Sequence, residues 1–375
     1  RFNRVGASAY VHIVGIARIN DLAIMGVIKT MERSATVAFS PTAPYLAAGT
    51  MAGAIDLSFS ATASLEIFKL DYADPSQSIP LAGAAVQTSD RFHRLVWGTA
   101  GAETDLPLGI LAGGLVDGTV NLWNPSKIVG AKTHDEGDGP ANPLLCKLQK
   151  HTGAVKGLQF NPFSSNLLAS GAADGELAIW DLANPSAPSL YPALKGASGP
   201  GNATAGEVTS LAWNRKVQHI LASTSATGTT IVWDLKRQRP VISFTDPNLK
   251  TRCSCLAWNP EVATQLIVAS DDDRCPTLQV WDLRNAVSPQ RTLTCHTKGV
   301  LSVAWCPSDT SLLLSCGKDN RTLCWDTNAG EVVAEIPASS NWNFDVQWSP
   351  RTPGILGAAS FDGKVSLYNL QNASA

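Results

Sequence analysis

Tryptophan spacing constrains this chain more than any other feature, because ten of its eleven tryptophans fall into two registers. Members of the first register are followed within two residues by turn formers, and they are Trp97, Trp213, Trp258, Trp305 and Trp348. Members of the second register stand at the end of an alternating apolar stretch and are followed by Asp or Asn. They are Trp123, Trp180, Trp233, Trp281 and Trp325. Only Trp342 belongs to neither register.

The two registers combine into seven units when phenylalanine or tyrosine stands in for tryptophan. The pairs are Phe39/Phe68, Trp97/Trp123, Phe160/Trp180, Trp213/Trp233, Trp258/Trp281, Trp305/Trp325 and Trp348/Tyr368. Between partners lie a short apolar run, such as Leu167–Ser170, and a polar turn, such as Ala173–Gly175. Each unit therefore predicts a four-stranded antiparallel meander that is stable only when stacked on its neighbours. We predict an all-β fold in which seven such units close into a ring.

The two ends of the repeat region predict how the ring closes. The last unit ends at Leu370, which leaves too few residues for a fourth strand, while Val27–Glu32 precedes the first unit and belongs to none. We therefore expect Val27–Glu32 to pair with the strand Lys364–Leu370. An amino-terminal strand would then complete the last sheet.

Two units contain polar residues at identical spacing, and the pattern resembles the WD-repeat β-propeller family. The residues are His151, Ser170, Asp174 and Trp180 in one unit and His296, Ser315, Asp319 and Trp325 in the other. The resemblance implies a buried tetrad in which Asp contacts His, His contacts Ser, and Ser contacts the indole N–H. We predict a structural role for these eight residues in a seven-bladed WD-repeat propeller.

Composition excludes several classes of function. The 29 Lys and Arg residues balance 31 Asp and Glu residues, which argues against nucleic-acid binding. Charged residues interrupt the longest apolar stretch at Arg18 and Asp21, so we expect a soluble protein without direct membrane insertion. The eight cysteines are too sparse for a disulfide scaffold, and we expect buried thiols in a reducing, cytoplasmic location.

No motif points to an enzyme, a metal or a cofactor. The tetrad spacing already accounts for the recurring Ser, His and Asp residues, and the sequence has no Gly-x-Ser-x-Gly elbow. The acidic run Asp271–Asp273 lacks the alternating ligands of a calcium loop, and the glycine-rich stretch 196–206 lacks Gly-Lys-Ser/Thr. The basic run Lys236–Arg239 is interpreted as solvated surface. We therefore predict no catalytic, cofactor-binding or metal-binding residues.

Several segments look like one particular WD-repeat family, the amino-terminal propeller of the large subunit of the COPII outer coat. These segments are Arg33–Phe39, Tyr45–Leu57, Ser64–Phe68, Leu111–Gly118 and Asn341–Asp345. The first unit is the most specific, because the insertion Leu57–Ala63 interrupts its third strand. The resemblance covers nearly everything from Val27 to Leu370.

The resemblance implies a structural subunit of the coat on vesicles that leave the endoplasmic reticulum for the Golgi. It implies that the ring associates weakly with copies of itself at cage vertices. Contacts with the small propeller subunit and the inner coat would belong to sequence downstream of Ala375. The protein would be cytoplasmic and peripheral on COPII vesicles and at endoplasmic reticulum exit sites.

The domain boundaries follow from the repeats. Residues 1–24 fit no unit and start with Arg, so we expect an extension outside the fold, with an artefact of the gene sequence as one explanation. Residues 25–375 form the predicted propeller.

An alternative function comes from a different class of protein. The segment Trp281-Asp282-Leu283-Arg284 matches the Trp-Asp-x-Arg box through which substrate receptors of cullin-RING ubiquitin ligases bind their adaptor. Trp281, Asp282 and Arg284 would then form an adaptor-binding surface. Trp-Asp pairs are common in WD repeats, so the match is weak by itself.

Overall fold

The computed structural model describes residues 23–24, 26–53, 62–101, 104–130, 142–192, 194, 206–246 and 251–370. These residues contain 29 strands, one four-residue helix (Pro125–Ile128) and one 3-10 turn (Leu283–Asn285). Within them, no helix is long and apolar enough to span a membrane. The all-β prediction is confirmed.

The strands form seven sheets, which we call blades one to seven. Two strands, β1 (Ala23–Ile24) and β2 (Val27–Met31), precede blade one. Blade one contains β3 (Ala35–Phe39), β4 (Tyr45–Thr50), β5 (Ala63–Lys69) and β6 (Val86–Thr88). Blade two contains β7 (Phe92–Gly98), β8 (Ile110–Leu115), β9 (Thr119–Trp123) and β10 (Leu144–Gln149). Blade three contains β11 (Val155–Phe160), β12 (Leu167–Ala172), β13 (Leu177–Asp181) and β14 (Ser189–Leu190).

The remaining four blades repeat the same meander. Blade four contains β15 (Val208–Trp213), β16 (Ile220–Ser225), β17 (Thr230–Asp234) and β18 (Arg239–Phe244). Blade five contains β19 (Cys253–Trp258), β20 (Gln265–Ser270), β21 (Leu278–Asp282) and β22 (Arg291–Leu293). Blade six contains β23 (Val300–Trp305), β24 (Leu312–Gly317), β25 (Thr322–Asp326) and β26 (Glu331–Ile336). Blade seven contains β27 (Asn343–Trp348), β28 (Ile355–Ser360), β29 (Lys364–Asn369) and β2.

The predicted aromatic pairs occupy equivalent positions in all seven blades, with a leucine between the two partners. In blade four, for example, Trp213 pairs with Leu221, and Leu221 pairs with Trp233. The seven leucines are fully buried and are Leu46, Leu111, Leu168, Leu221, Leu266, Leu313 and Leu356. Residues in register share one face of a sheet, so each blade presents an aromatic–leucine–aromatic row to the core.

Some first-register tryptophans also connect neighbouring blades. The indole N–H of Trp213 donates to the Gln159 carbonyl of blade three at 3.0 Å. Trp258 and Trp348 make the equivalent bond to the preceding blade, each at 2.9 Å, to the carbonyls of Ala212 and Ala304. These bonds satisfy a buried polar group at a junction between blades.

The predicted closure is confirmed, because β2 pairs antiparallel with β29. Thr30 lies opposite Ser366, and Met31 lies opposite Val365. The other edge of β2 is also covered, since the Thr30 amide donates to the Gln77 carbonyl at 2.7 Å. The buried Lys29 ammonium donates to the Asp74 carbonyl at 2.9 Å. The strand that closes the ring is therefore held on both sides.

Two residues of the expected extension differ from the prediction. Ala23 and Ile24, which we expected to lie outside the fold, form β1 and pair in parallel with Ala334 and Glu335 of β26. The backbone of β26 has a free outer edge that a preceding segment can extend. Residues 1–22 and 54–61 lie outside the described residues, and they include most of the predicted insertion Leu57–Ala63, whose last residue begins β5.

Candidate functional site

The structure brings the four polar residues of blade six into one chain of contacts. The Trp325 indole N–H donates to Ser315 Oγ at 2.7 Å, and Ser315 Oγ lies 2.7 Å from His296 Nε2. His296 Nδ1 lies 3.0 Å from Asp319 Oδ2. All four groups are satisfied when Ser315 donates to Nε2 and Nδ1–H donates to Asp319. Because backbone amides and His296 outweigh the effect of burial, the pKa of Asp319 is lowered.

Blade three contains the same four residues in a looser arrangement. Trp180 donates to Ser170 Oγ at 2.9 Å, and Ser170 Oγ lies 2.8 Å from His151 Nε2. His151 Nδ1 is 3.4 Å from Asp174 Oδ2 and makes no hydrogen bond within the described residues. Asp174 instead accepts the Thr152 amide at 2.8 Å. Burial lowers the pKa of His151, and the Asp174 carboxylate opposes that effect only in part.

Blades four and five also provide an acceptor for the indole N–H of the second-register tryptophan, but without the full set of four tetrad residues. In blade four, Trp233 donates to Ser223 Oγ at 2.9 Å. In blade five, Trp281 donates to Gln279 Oε1 at 3.2 Å, and the Gln279 amide donates to the buried Asp246. The pair of Gln279 and Asp246 was not found from the sequence, because it has no counterpart at the same spacing in another unit.

Burial favours a structural role for the tetrads over a catalytic one. The hydroxyl-bearing residues Ser170 and Ser315 are completely inaccessible to solvent. A serine nucleophile needs a substrate within reach, and both hydroxyls are already committed to histidine and indole.

The acidic run Asp271–Asp273 divides its carboxylates among three basic partners. Asp271 lies 3.1 Å from Arg252, Asp272 lies 2.8 Å from Arg274, and Asp273 lies 3.5 Å from Lys318. Side chains that face different cations do not converge on one ion. Among the described residues, no group of three His, Cys, Asp or Glu is placed to hold a metal.

The residues of the alternative adaptor box are close together, but only part of the box is accessible. Trp281 is buried, whereas the Arg284 side chain is 74% exposed. The Arg284 guanidinium donates from Nε to both Asp282 carboxylate oxygens at 3.0 Å, and this lowers the pKa of Asp282 to about 2. Arg284 is thus held by its own blade, and no observation favours an adaptor over any other partner.

The cysteines are free thiols, and most lie in the core. Burial raises the pKa of Cys253 to about 12 and that of Cys255 to about 11. Thiols that remain protonated at neutral pH are poor nucleophiles and poor metal ligands.

The inner strands of the blades surround a central channel, and one polar cluster lies where the ring closes. Asp345 of blade seven accepts the Thr36 hydroxyl of blade one at 2.9 Å. The Asp345 carboxylate also lies 3.5 Å from the Arg94 guanidinium of blade two. One buried carboxylate therefore connects three blades.

A second set of charges crosses four blades. Glu207 pairs with Lys156 and lies 3.7 Å from Arg252. Arg252 continues to Asp271, whose carbonyl accepts the Lys318 ammonium at 2.7 Å. The Lys318 ammonium also lies 5.7 Å from the ring centre of the exposed Trp342. These contacts link the side chains of blades three to six into one charged network.

The closed ring of seven blades, each built on a four-stranded meander and two of them containing a His-Ser-Asp-Trp tetrad, defines a WD-repeat β-propeller. The family model "WD domain, G-beta repeat" matches residues 142–181 and 287–326. These are the two segments that contain the complete tetrads.

Comparison with known proteins identifies the family within this class. "Protein transport protein SEC31 homolog B" of Arabidopsis thaliana is 55% identical over 351 residues, aligned with 93% of this chain and 31% of the relative. "Protein transport protein Sec31A" of Danio rerio is 46% identical, aligned with 92% of this chain and 27% of the relative. A chain of the solved structure "COPII on membranes, outer coat vertex" matches with a TM-score of 0.77 and 33% identity, covering 92% of this chain and 86% of that chain. The chain is therefore similar to SEC31 proteins, and it spans less than a third of the length of these two curated relatives.

Proposed function

We propose that this chain is the propeller of a structural subunit of the COPII outer coat, acting in transport from the endoplasmic reticulum to the Golgi. One observation carries the proposal, namely the match of the ring to most of a chain in a solved outer-coat vertex. A further match, "The structure of the COPII coat assembled on membranes", has the same TM-score of 0.77. The role requires protein–protein contacts and no catalysis.

The partners follow from the same proposal. The ring associates with copies of itself at cage vertices, while contacts with the small propeller subunit and the inner coat lie outside the ring. The protein is then cytoplasmic and peripheral on COPII vesicles and at endoplasmic reticulum exit sites. Each vertex contact is weak, because a reversible cage gains its strength from many linked contacts.

Coat reconstitution tests the proposal. Residues 26–370 replace the propeller of human Sec31A, and the chimera is assembled with the remaining COPII proteins on liposomes. We expect cage vertices in cryo-electron tomograms. A chimera with an unrelated seven-bladed propeller is the control and should give none. Membrane-bound rods without vertices, from a chimera whose ring is folded, would contradict the proposed role.

A further inference from the structure

An apolar groove lies at the outer boundary between blades three and four. Its apolar lining comprises Leu167, Ile179, Tyr191, Pro192, Leu194 and Leu235. Its volume is about 230 Å³. Sites for drug-sized ligands usually begin at about 300 Å³, so this groove is suited to one or two anchoring side chains.

The groove is open because the outer strand of blade three is short. Strand β14 has two residues and pairs only with Trp180 and Asp181, whereas the outer strands of blades four and six have six residues each. No residue of β14 lies opposite Leu177 or Ala178 of β13. Leu190 and Tyr191 are each 44% exposed at this edge.

Hydrogen bonds hold the walls of the groove in place. The Tyr191 amide donates to the Ile179 carbonyl at 2.9 Å on the blade-three side. On the blade-four side, the Leu235 amide donates to the His219 carbonyl at 2.9 Å. The Asn161 side chain joins the two blades by donating to the Gln218 carbonyl at 2.9 Å. A preformed site loses less entropy when it binds a ligand.

Part of the basic run Lys236–Arg239 lies along one rim of the groove, and Arg237 and Arg239 are adjacent to it in sequence. Lys236 and Gln238 are part of the lining. Arg237 lies 3.5 Å from Asp234, while Lys236 and Arg239 are exposed and pair with no carboxylate in the described part of the chain. The rim therefore carries uncompensated positive charge in a protein whose formal charge is -2.

We propose that this groove binds a short extended segment of a partner protein in which an apolar anchor residue is flanked by Asp or Glu. The anchor occupies the apolar volume, and the acidic residues face Lys236 and Arg239. The outer edge of β13 beside the groove is the type of surface to which an added strand can pair. This binding is independent of the coat role, and neither proposal requires the other.

Fluorescence anisotropy with defined peptides tests the proposal on the intact chain. The probes are ten-residue acidic peptides with a central Leu, Phe or Trp, together with an Ala-centred peptide and Lys-substituted counterparts. We expect the Leu, Phe and Trp peptides to bind more tightly than the Ala and Lys peptides. Binding should weaken between about 50 and 200 mM NaCl, because exposed charges are screened over this range.

Paired charge reversals locate the binding site. The double variant Lys236→Glu with Arg239→Glu should weaken binding roughly tenfold, since like charges then oppose the peptide. The matched control, Lys69→Glu with Arg351→Glu on blades one and seven, makes the same change in net charge and should bind as the parent does. Tyr191→Ala should weaken binding roughly fivefold through loss of the apolar wall. Thermal melts confirm that each variant folds.

Four outcomes would overturn the inference. One is equal binding by the two double variants, and another is equal binding of Ala-centred and Leu-centred peptides. The third is that sedimentation shows the ring self-associating through Lys236 and Arg239, because the occupant is then a second copy. Absence of binding by every peptide up to ~1 mM has the same consequence.

Discussion

At the scale of single residues, the serine hydroxyls hold the polar chains of the blades together. Ser170 contacts both His151 and Trp180, whereas Ser223 contacts only the indole of Trp233 among the equivalent groups. Each buried polar group that loses its partner costs about 1–3 kcal/mol. Replacing Ser170 by Ala therefore leaves one more buried polar group without a partner than replacing Ser223 by Ala.

We predict that Ser170→Ala lowers the free energy of unfolding more than Ser223→Ala does. The difference should be about 1–3 kcal/mol, because one additional buried group loses its partner. Urea unfolding of the two variants measures it. Equal losses would show that the His151–Ser170 contact adds nothing to stability.

His151 predicts a pH dependence of stability. Its pKa in the folded protein lies below the ordinary value, so the unfolded chain binds protons more readily as the pH falls. Stability should therefore decrease as the pH falls from about 7 through the ordinary histidine pKa of about 6.5 towards the lower folded value. Melting temperatures across this range should show the decrease.

The variant His151→Gln identifies the group responsible. It should flatten the dependence of melting temperature on pH, although a slope remains because burial also lowers the pKa of His93. An unchanged slope in His151→Gln would assign the effect to other groups.

At the scale of strands, the leucine of the middle strand is the packing centre of each blade. Leu221 is fully buried between the register positions of Trp213 and Trp233. Removing such a side chain leaves a cavity among large aromatic neighbours that cannot collapse into it.

We predict that Leu221→Ala lowers the free energy of unfolding by about 2–5 kcal/mol. Leu190→Ala on the exposed strand β14 is the control and should cost less than about 0.5 kcal/mol. Denaturant titrations compare the two. Similar values would mean that packing in blade four is loose.

The sequence predicted the aromatic positions of the blades and an apolar run between them, but not that a leucine of this run lies in register with both aromatic residues. Tryptophan is rare, so Trp213 and Trp233 reveal a period that leucine, a common residue, does not. The substitute network of Gln279 and Asp246 was missed for another reason, because it occurs in one blade only. Repeated spacing in a sequence identifies residues that occur in several blades, but it does not identify a contact that occurs in one blade only.

At the scale of the whole molecule, closure depends on β2. A chain that begins at Ser34 lacks β2 and leaves β29 unpaired on one side. We predict that it loses the single cooperative unfolding transition of the ring. Scanning calorimetry tests this, with a chain that begins at Gly26 as the control. An unchanged melting curve for the shorter chain would contradict the stabilising role of β2.

The pairing of β2 with β29 could be predicted because the last unit of the sequence lacks a fourth strand, while the segment that forms β2 belongs to no unit. The polar cluster beside it could not, because Arg94, Thr36 and Asp345 come from three blades that only the closed ring brings together. The groove beside Lys236–Arg239 could not be predicted from the sequence either. The sequence indicated solvated charge, and the shortness of β14 became visible only in the sheet.

Blade seven, which combines residues 27–31 with residues 343–369, has a consequence for biosynthesis. Strand β2 is synthesised long before its partner β29, so a nascent chain carries an unpaired β2 until the last strand of the ring has left the ribosome. On a crowded polysome, β2 of one chain can complete the seventh blade of its neighbour, and linked pairs of rings would result. The frequency of such exchange should increase with the density of ribosomes on the message, because neighbouring nascent chains are then closer together.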